Sequence, residues 1–220
     1  MHPLPTIPSR RSAGAFSLIE LLIVMAIMGT LALMALPAFN RVVTASNLSS
    51  GGRALVDQIN LARQTAMARS SQVEFRLYRL PDASLPGSQS PAQYRAFQAF
   101  VITQGGTATN AVARPIFLPK SIIFLASPSV SSLLPEAPGT APALVSGERA
   151  GTRFNGYQPS AYDYMVFHFN PDGSTDLDPT ASWYISLAFE KAPLGANGVP
   201  SDFITIQIDP LSGRARSFRP

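Results

Sequence analysis

The chain has 220 residues, room for one globular domain with additions, and no cysteine, which excludes disulfides, thiolate metal sites and a cysteine nucleophile. Hydrophobic residues make up 46% and charged residues only 14%, where a soluble enzyme carries nearer a quarter, so the composition leans towards a membrane or an assembly. The net charge is +4, and removing Arg10 and Arg11 with a leader would lower it to +2, too weak a balance to imply nucleic acid by itself.

Residues 1–15 are polar, contain Pro and carry Arg10 and Arg11. From Phe16 to Phe39 the sequence is apolar with one charge, Glu20, over 24 residues. As a helix this run covers roughly 36 Å, enough for a hydrocarbon core of about 30 Å. Arg10 and Arg11 precede it, so the leader should stay cytoplasmic and the remainder should cross. A cleaved secretory signal would place small residues after the apolar run. Here Ala13, Gly14 and Ala15 come before it. A plain signal anchor fits the length but gives Glu20 no purpose, although a carboxylate in a spanning helix is costly. The segment resembles the N-terminus of type IV pilins and type II secretion pseudopilins. That resemblance implies a prepilin peptidase cutting between Ala15 and Phe16, with Ala15 standing where Gly is usual. It further implies N-methylation of Phe16, an assembly role for Glu20, and a place for Pro37 where these helices commonly carry a Pro. In a filament, Glu20 would pair with the ammonium group of Phe16 on a neighbouring subunit and fix axial register. The alternative is that Glu20 snorkels to the headgroups without a partner.

Pro37 is expected to kink or pause the helix. Leu48, Leu55, Ile59, Ala62 and Ala66 then fall on one helical face, with Arg53, Asp57, Asn60 and Arg63 on the others. Gly51 and Gly52 mark a local weak point. From Val73 the pattern becomes that of a strand: Val73, Phe75 and Leu77 alternate with Glu74 and Arg76, and Arg79 and Leu80 break the alternation at its end. Residues 81–91 form a loop. Further strands are expected at Tyr94–Thr103, Ser121–Ala126, Tyr162–Phe169, Trp183–Phe189 and Phe203–Ile208, with a Pro- and Ser-rich loop at 127–142. Twenty prolines agree with many loops and few helices after the first. The fold class is α+β: a long N-terminal helix, half transmembrane and half amphipathic, packed on an antiparallel sheet. The expected divisions are a leader at 1–15, an assembly helix at 16–39, its amphipathic continuation at 40–70 and an extracytoplasmic β-rich domain at 71–220.

The run from Leu55 through Ala62, Arg63, Ala66 and Arg69 to Val73 is similar to the helix-to-strand passage of the GspH/FimT group of minor pseudopilins. FNPDGS at 169–174 and the closing IQIDPLSGRARSF fit the same group. The closing segment also resembles the pilin-like D member of the Verru_Chthon cassette proteins. These likenesses imply a single-pass protein of the inner membrane with its N-terminus cytoplasmic and its domain outside. Its partners would be the peptidase, other pilin subunits, membrane lipid, and an assembly platform with its ATPase.

Two further groups of side chains are candidates. Asp172, Ser174, Asp176 and Asp178 alternate oxygens as a Ca²⁺ loop can, but Leu177 and Trp183 stand where an EF-hand needs Gly and a carboxylate, so a solvated turn around Asp172-Gly173 is the competing reading. Arg214, Arg216 and Arg219 could grip the phosphates of DNA, and GRAR resembles a signature of DNA-binding FimT-like pilins; equally, arginine protects an exposed edge strand. His168, in an apolar strand, is expected to be a packed or edge side chain. No grouping supports a catalytic site, and no cofactor is implied.

Overall fold

The computed structural model describes residues 17–82, 91–103, 109–134, 144–145, 163–195 and 198–219, with the side chains of 34–41 and 144–145 left aside. One helix, α1 (Leu18–Arg69), precedes the strands β1 (Val73–Leu80), β2 (Gln93–Ile102), β3 (Thr109–Ala111), β4 (Ile116–Phe117), β5 (Ile122–Leu125), β6 (Leu144–Val145), β7 (Asp163–Phe169), β8 (Trp183–Phe189), β9 (Phe203–Ile208) and β10 (Ala215–Phe218). The chain divides into two compact units, Met1–Val43 and Thr44–Pro220. It is an α+β protein with an antiparallel sheet ordered β10-β9-β8-β5-β2-β1-β7-β6, with β3 and β4 also pairing to β2.

The apolar stripe of α1 is buried as its spacing requires. Leu48, Leu55, Ile59, Ala62 and Ala66 are all at most 1% exposed and pack with Phe75, Phe97, Phe124, Phe167, Leu187 and Ile206 from the sheet. Burying each large aliphatic side chain contributes about 1.5–3 kcal/mol. The helix stops at Ser70, whose φ of 46° turns the chain, while the Ser71 N–H donates to the Ala66 carbonyl at 3.2 Å. That six-to-one bond is the Schellman pattern, here with Ser rather than Gly in the left-handed position.

The helix runs on through Pro37 as one element to Arg69. Pro removes a single N–H donor, and a helix this long retains the hydrogen bonds on either side. One expectation for the helix needs correction: Gly51 and Gly52 are points of close approach rather than a weak point. A Cβ on Gly51 would lie 3.3 Å from Leu118 and Pro119, and one on Gly52 would lie 3.3 Å from Ile204. Their missing side chains let the helix settle on β8 and β9, at a propensity cost of about 1 kcal/mol each.

Strand β1 is buried on both sides. Val73, Phe75 and Leu77 face α1, while the alternate residues Glu74, Arg76 and Tyr78 are also at most 2% exposed. Arg76 forms a two-pronged salt bridge to Glu74 (Nε–Oε1 2.8 Å, Nη2–Oε2 3.1 Å), and its guanidinium lies 4.1 Å from the Phe100 ring centre and 5.1 Å from that of Tyr164. Burial opposes the charge on Arg76, but the hydrogen bond to Glu74, with the nearby Tyr78 and Glu74 charges, outweighs it and raises the guanidinium pKa. Tyr78, Leu80, Ala96, Phe100 and Tyr164 make a second, smaller cluster here. The break in alternation at Arg79 is a register shift between Tyr78 and Arg79 in the pairing with β2.

The Ser-rich segment after β5 does strand work with side chains. β5 ends at Leu125, opposite Ser186. Beyond that point the hydroxyls of Ser131 and Ser132 accept the N–H groups of Ser186 and Tyr184, each at 2.9 Å, and the Leu133 N–H donates to the Tyr184 carbonyl at 3.2 Å. Val130, Ser131, Leu133 and Leu134 are buried, so 127–134 is a docked loop, and the rest of the expected loop, 135–142, lies outside the described residues.

Candidate functional site

The first half of α1 has an unusual surface. Its large apolar side chains from Leu18 to Leu33 are 43–83% exposed on every side, where a surface helix would carry polar groups on one face. Glu20 is the acidic residue of the first helical turn, where a carboxylate complements the helix dipole. It is exposed and holds no ion pair or hydrogen bond through its side chain among the described residues. Thr30 returns its hydroxyl to the carbonyls of Ala26 (3.2 Å) and Ile27 (2.8 Å), so its polarity is satisfied within the helix. Gly29 meets nothing within 4 Å, leaving a notch in the apolar surface. Among the described residues no helix is long and apolar enough to cross a membrane. The apolar run with described side chains ends at Leu33, and the sequence extends it through Met34, Ala35 and Leu36. Ala15 and Phe16 lie outside the described residues, as do Arg10, Arg11 and the side chain of Pro37.

At the other end of α1, three separate sequence segments meet. The loop 170–175 after β7 and the loop 209–213 after β9 touch each other: Thr175 donates to the Pro210 carbonyl through its N–H (2.8 Å) and its hydroxyl (3.1 Å). Arg63 of α1 donates from Nε to the carbonyls of Ser212 (2.6 Å) and Gly173 (3.3 Å). Gly173 and Gly213 have φ of 86° and 61°, and a Cβ on Gly213 would meet the Gly173 carbonyl at 2.3 Å, so neither tolerates a side chain. One arginine thus ties the helix to two loops that follow strands far apart in the sheet order.

The acidic run does not converge. Asp172 accepts from the N–H and hydroxyl of Ser174 (2.8 and 2.7 Å), and Asp178 accepts in the same way from Thr180 (2.8 and 2.7 Å). These bonds, the Ser174 and Thr180 hydroxyls first, lower both carboxyl pKa values. Asp176 pairs instead with His168, Oδ2 to Nδ1 at 2.6 Å, and accepts its N–H at 2.8 Å. His168 is therefore a partly exposed strand residue held by a carboxylate. Phe169 and Thr175 form an antiparallel bridge, so Asp172-Gly173 is the tip of a tight local turn. Among the described residues no group of three or more His, Cys, Asp or Glu could hold a metal ion.

The C-terminal arginines separate into two kinds. Arg219 is engaged: it reaches both oxygens of Asp202 (2.9 and 3.1 Å) and the Ser49 hydroxyl of α1 (3.1 Å). Arg214 and Arg216 are exposed and line a hollow of about 400 Å³ with Gln207, Asp209 and Ser212. Asp209 there accepts from the Ser212 hydroxyl (2.6 Å) and the Leu211 N–H (3.1 Å). These bonds, with a smaller contribution from the charge of Arg216, keep its pKa low. Sequence reasoning missed the roles of Ser49 and Asp202, for which nothing local signals a partner so far along the chain.

Residues 10–36 match the family described as "Prokaryotic N-terminal methylation motif". The N-terminal segment carries a prokaryotic methylation motif. The crystal structure of the type IV minor pilin FimU of Pseudomonas aeruginosa (strain PAO1) is similar at 11% identity, covering 80% of this chain and 93% of that one, with a TM-score of 0.42. No curated protein matches the chain. The α+β architecture stands on the chain's own helix and sheet.

Proposed function

We infer that the chain is a minor structural subunit of a type IV pilus or a type II secretion-like pseudopilus. A prepilin peptidase cuts between Ala15 and Phe16, Phe16 is methylated, and residues 16–39 hold the chain in the inner membrane with the leader cytoplasmic. The helix then leaves the bilayer for a bundle of neighbouring subunits, driven by a platform and its ATPase. The observation that carries this reading is the coincidence of the methylation motif with a helix apolar on all sides. Such a surface needs lipid or other helices. Glu20, exposed near its start, gains a counter-charge from the Phe16 ammonium of another subunit.

A GspH/FimT-like placement is supported by the meeting of Arg63 with the FNPDGS and PLSGR segments, which joins three stretches of the resemblance at one point. The link to the cassette D proteins rests on the closing sequence alone. A DNA- or surface-binding role for the C-terminal arginines has less support, because Arg219 is engaged by Asp202 and Asp209 shares the hollow of the other two.

The test is Glu20→Ala. Membrane fractionation should show normal insertion, and shear fractions should show loss of the subunit from filaments. Normal incorporation of the variant would falsify the pairing.

A further inference from the structure

We propose that β10 and the two arginines beside it receive an extended acidic segment of another polypeptide, added as a further strand to the sheet. β10 stands at the end of the sheet order and, among the described residues, pairs on one side only, with β9. Its residues Arg216, Ser217 and Phe218 are exposed, Phe218 at 52%. The outer edge of such a strand offers backbone donors and acceptors to an incoming chain.

Charge selects what kind of chain. Arg214 and Arg216 line one hollow together, and alternate residues along an extended chain lie roughly 6.6 Å apart. An added strand repeats its side chains on the same face at that interval, so carboxylates at alternate positions meet both guanidiniums. Among the described residues neither arginine holds a side-chain hydrogen bond or salt bridge. Asp209 in the same hollow decides between polyanions. Its charge is fixed by its own turn and would oppose a continuous row of phosphates, whereas a peptide can set a hydroxyl or amide against it. On the helix side, a second hollow of about 180 Å³ lies against Ser217 and Phe218, with Arg53 of α1 on its wall. That cation extends the same preference to the other face. The strand has four residues and carries arginine, features that deter indiscriminate pairing, so the partner must supply the opposite charge.

The test uses the full chain in detergent micelles and three probes: a peptide of alternating Thr and Asp, its counterpart with Lys for Asp, and a single-stranded oligonucleotide of matching charge. The Asp peptide should bind and slow hydrogen exchange at residues 215–218, while the Lys peptide should not bind. Arg214→Gln with Arg216→Gln should weaken binding by at least about tenfold, the loss expected for one charge-assisted contact. Arg214→Lys with Arg216→Lys should restore most of it, and both pairs should keep the unfolding midpoint, since the side chains are exposed. Equal binding of both peptides, unchanged exchange at β10, or capture of the oligonucleotide but not the Asp peptide would each overturn the proposal.

Discussion

α1 contains two helices' worth of surface with opposite chemistry. From Leu18 to Leu33 the large apolar side chains are exposed on all sides; from Leu48 onward Leu48, Leu55, Ile59, Ala62 and Ala66 form one buried stripe, with Leu61 and Met67 each 40% exposed outside it. The secondary structure is the same in both, so helix formation says nothing about use. The second half is held by its own chain, through five buried side chains and Arg63. The first half leaves its described apolar side chains exposed, and a methylation motif marks it. Paired substitutions should therefore behave differently in the two halves.

The largest expected effect lies within the domain. Arg76→Ala removes the guanidinium that salt-bridges the buried Glu74 and should cost about 3–5 kcal/mol in denaturant unfolding. Replacing both with Leu and Met should cost much less, because the two charges are then removed together. A small loss for Arg76→Ala alone would show that water reaches this pair.

Leu55→Ala and Leu22→Ala make the same chemical change in the two halves. The first should destabilise the domain by about 2–5 kcal/mol, by analogy with large-to-small core substitutions. The second should leave domain unfolding within about 0.5 kcal/mol of the parent, since Leu22 is 61% exposed. Equal losses at the two positions would break the comparison.

The smallest effect concerns acid. Burial alone would raise the Asp176 pKa, but hydrogen bonds from the His168 ring and N–H, with its charge, bring it below the usual carboxylate value. A carboxyl lowered by folding adds stability above its unfolded pKa of about 3.9, and that stability is lost as pH falls through the folded value. Asp176→Asn should thus remove part of the acid sensitivity below about pH 4, by less than about 1 kcal/mol because the side chain is 41% exposed. Melting temperatures of the two proteins between neutral and acid pH provide the check.

Much of this was legible in the sequence wherever one residue type repeats at a fixed interval. The α1 stripe and the strands β1, β2, β5, β7, β8 and β9 follow from such repeats. What escaped depends on partners distant along the chain. Gly51 and Gly52 read as breaks because propensity is local, whereas their use is to admit Ile204 and Leu118. Glu74 and Arg76 read as the polar side of a strand, but salt-bridging to each other lets both be buried. Ser131 and Ser132 read as loop residues, though their hydroxyls stand in for a strand. At the candidate sites, the sequence grouped three arginines that Asp202 separates, and three aspartates that local turns and His168 keep apart.

The claim that the exposed half is an assembly helix is tested most directly by mass spectrometry of the N-terminal peptide after co-expression with a prepilin peptidase. The expected product begins at Phe16 and carries a methyl group on its amine. A chain that keeps residues 1–15, or one cut beyond the apolar run, would contradict it.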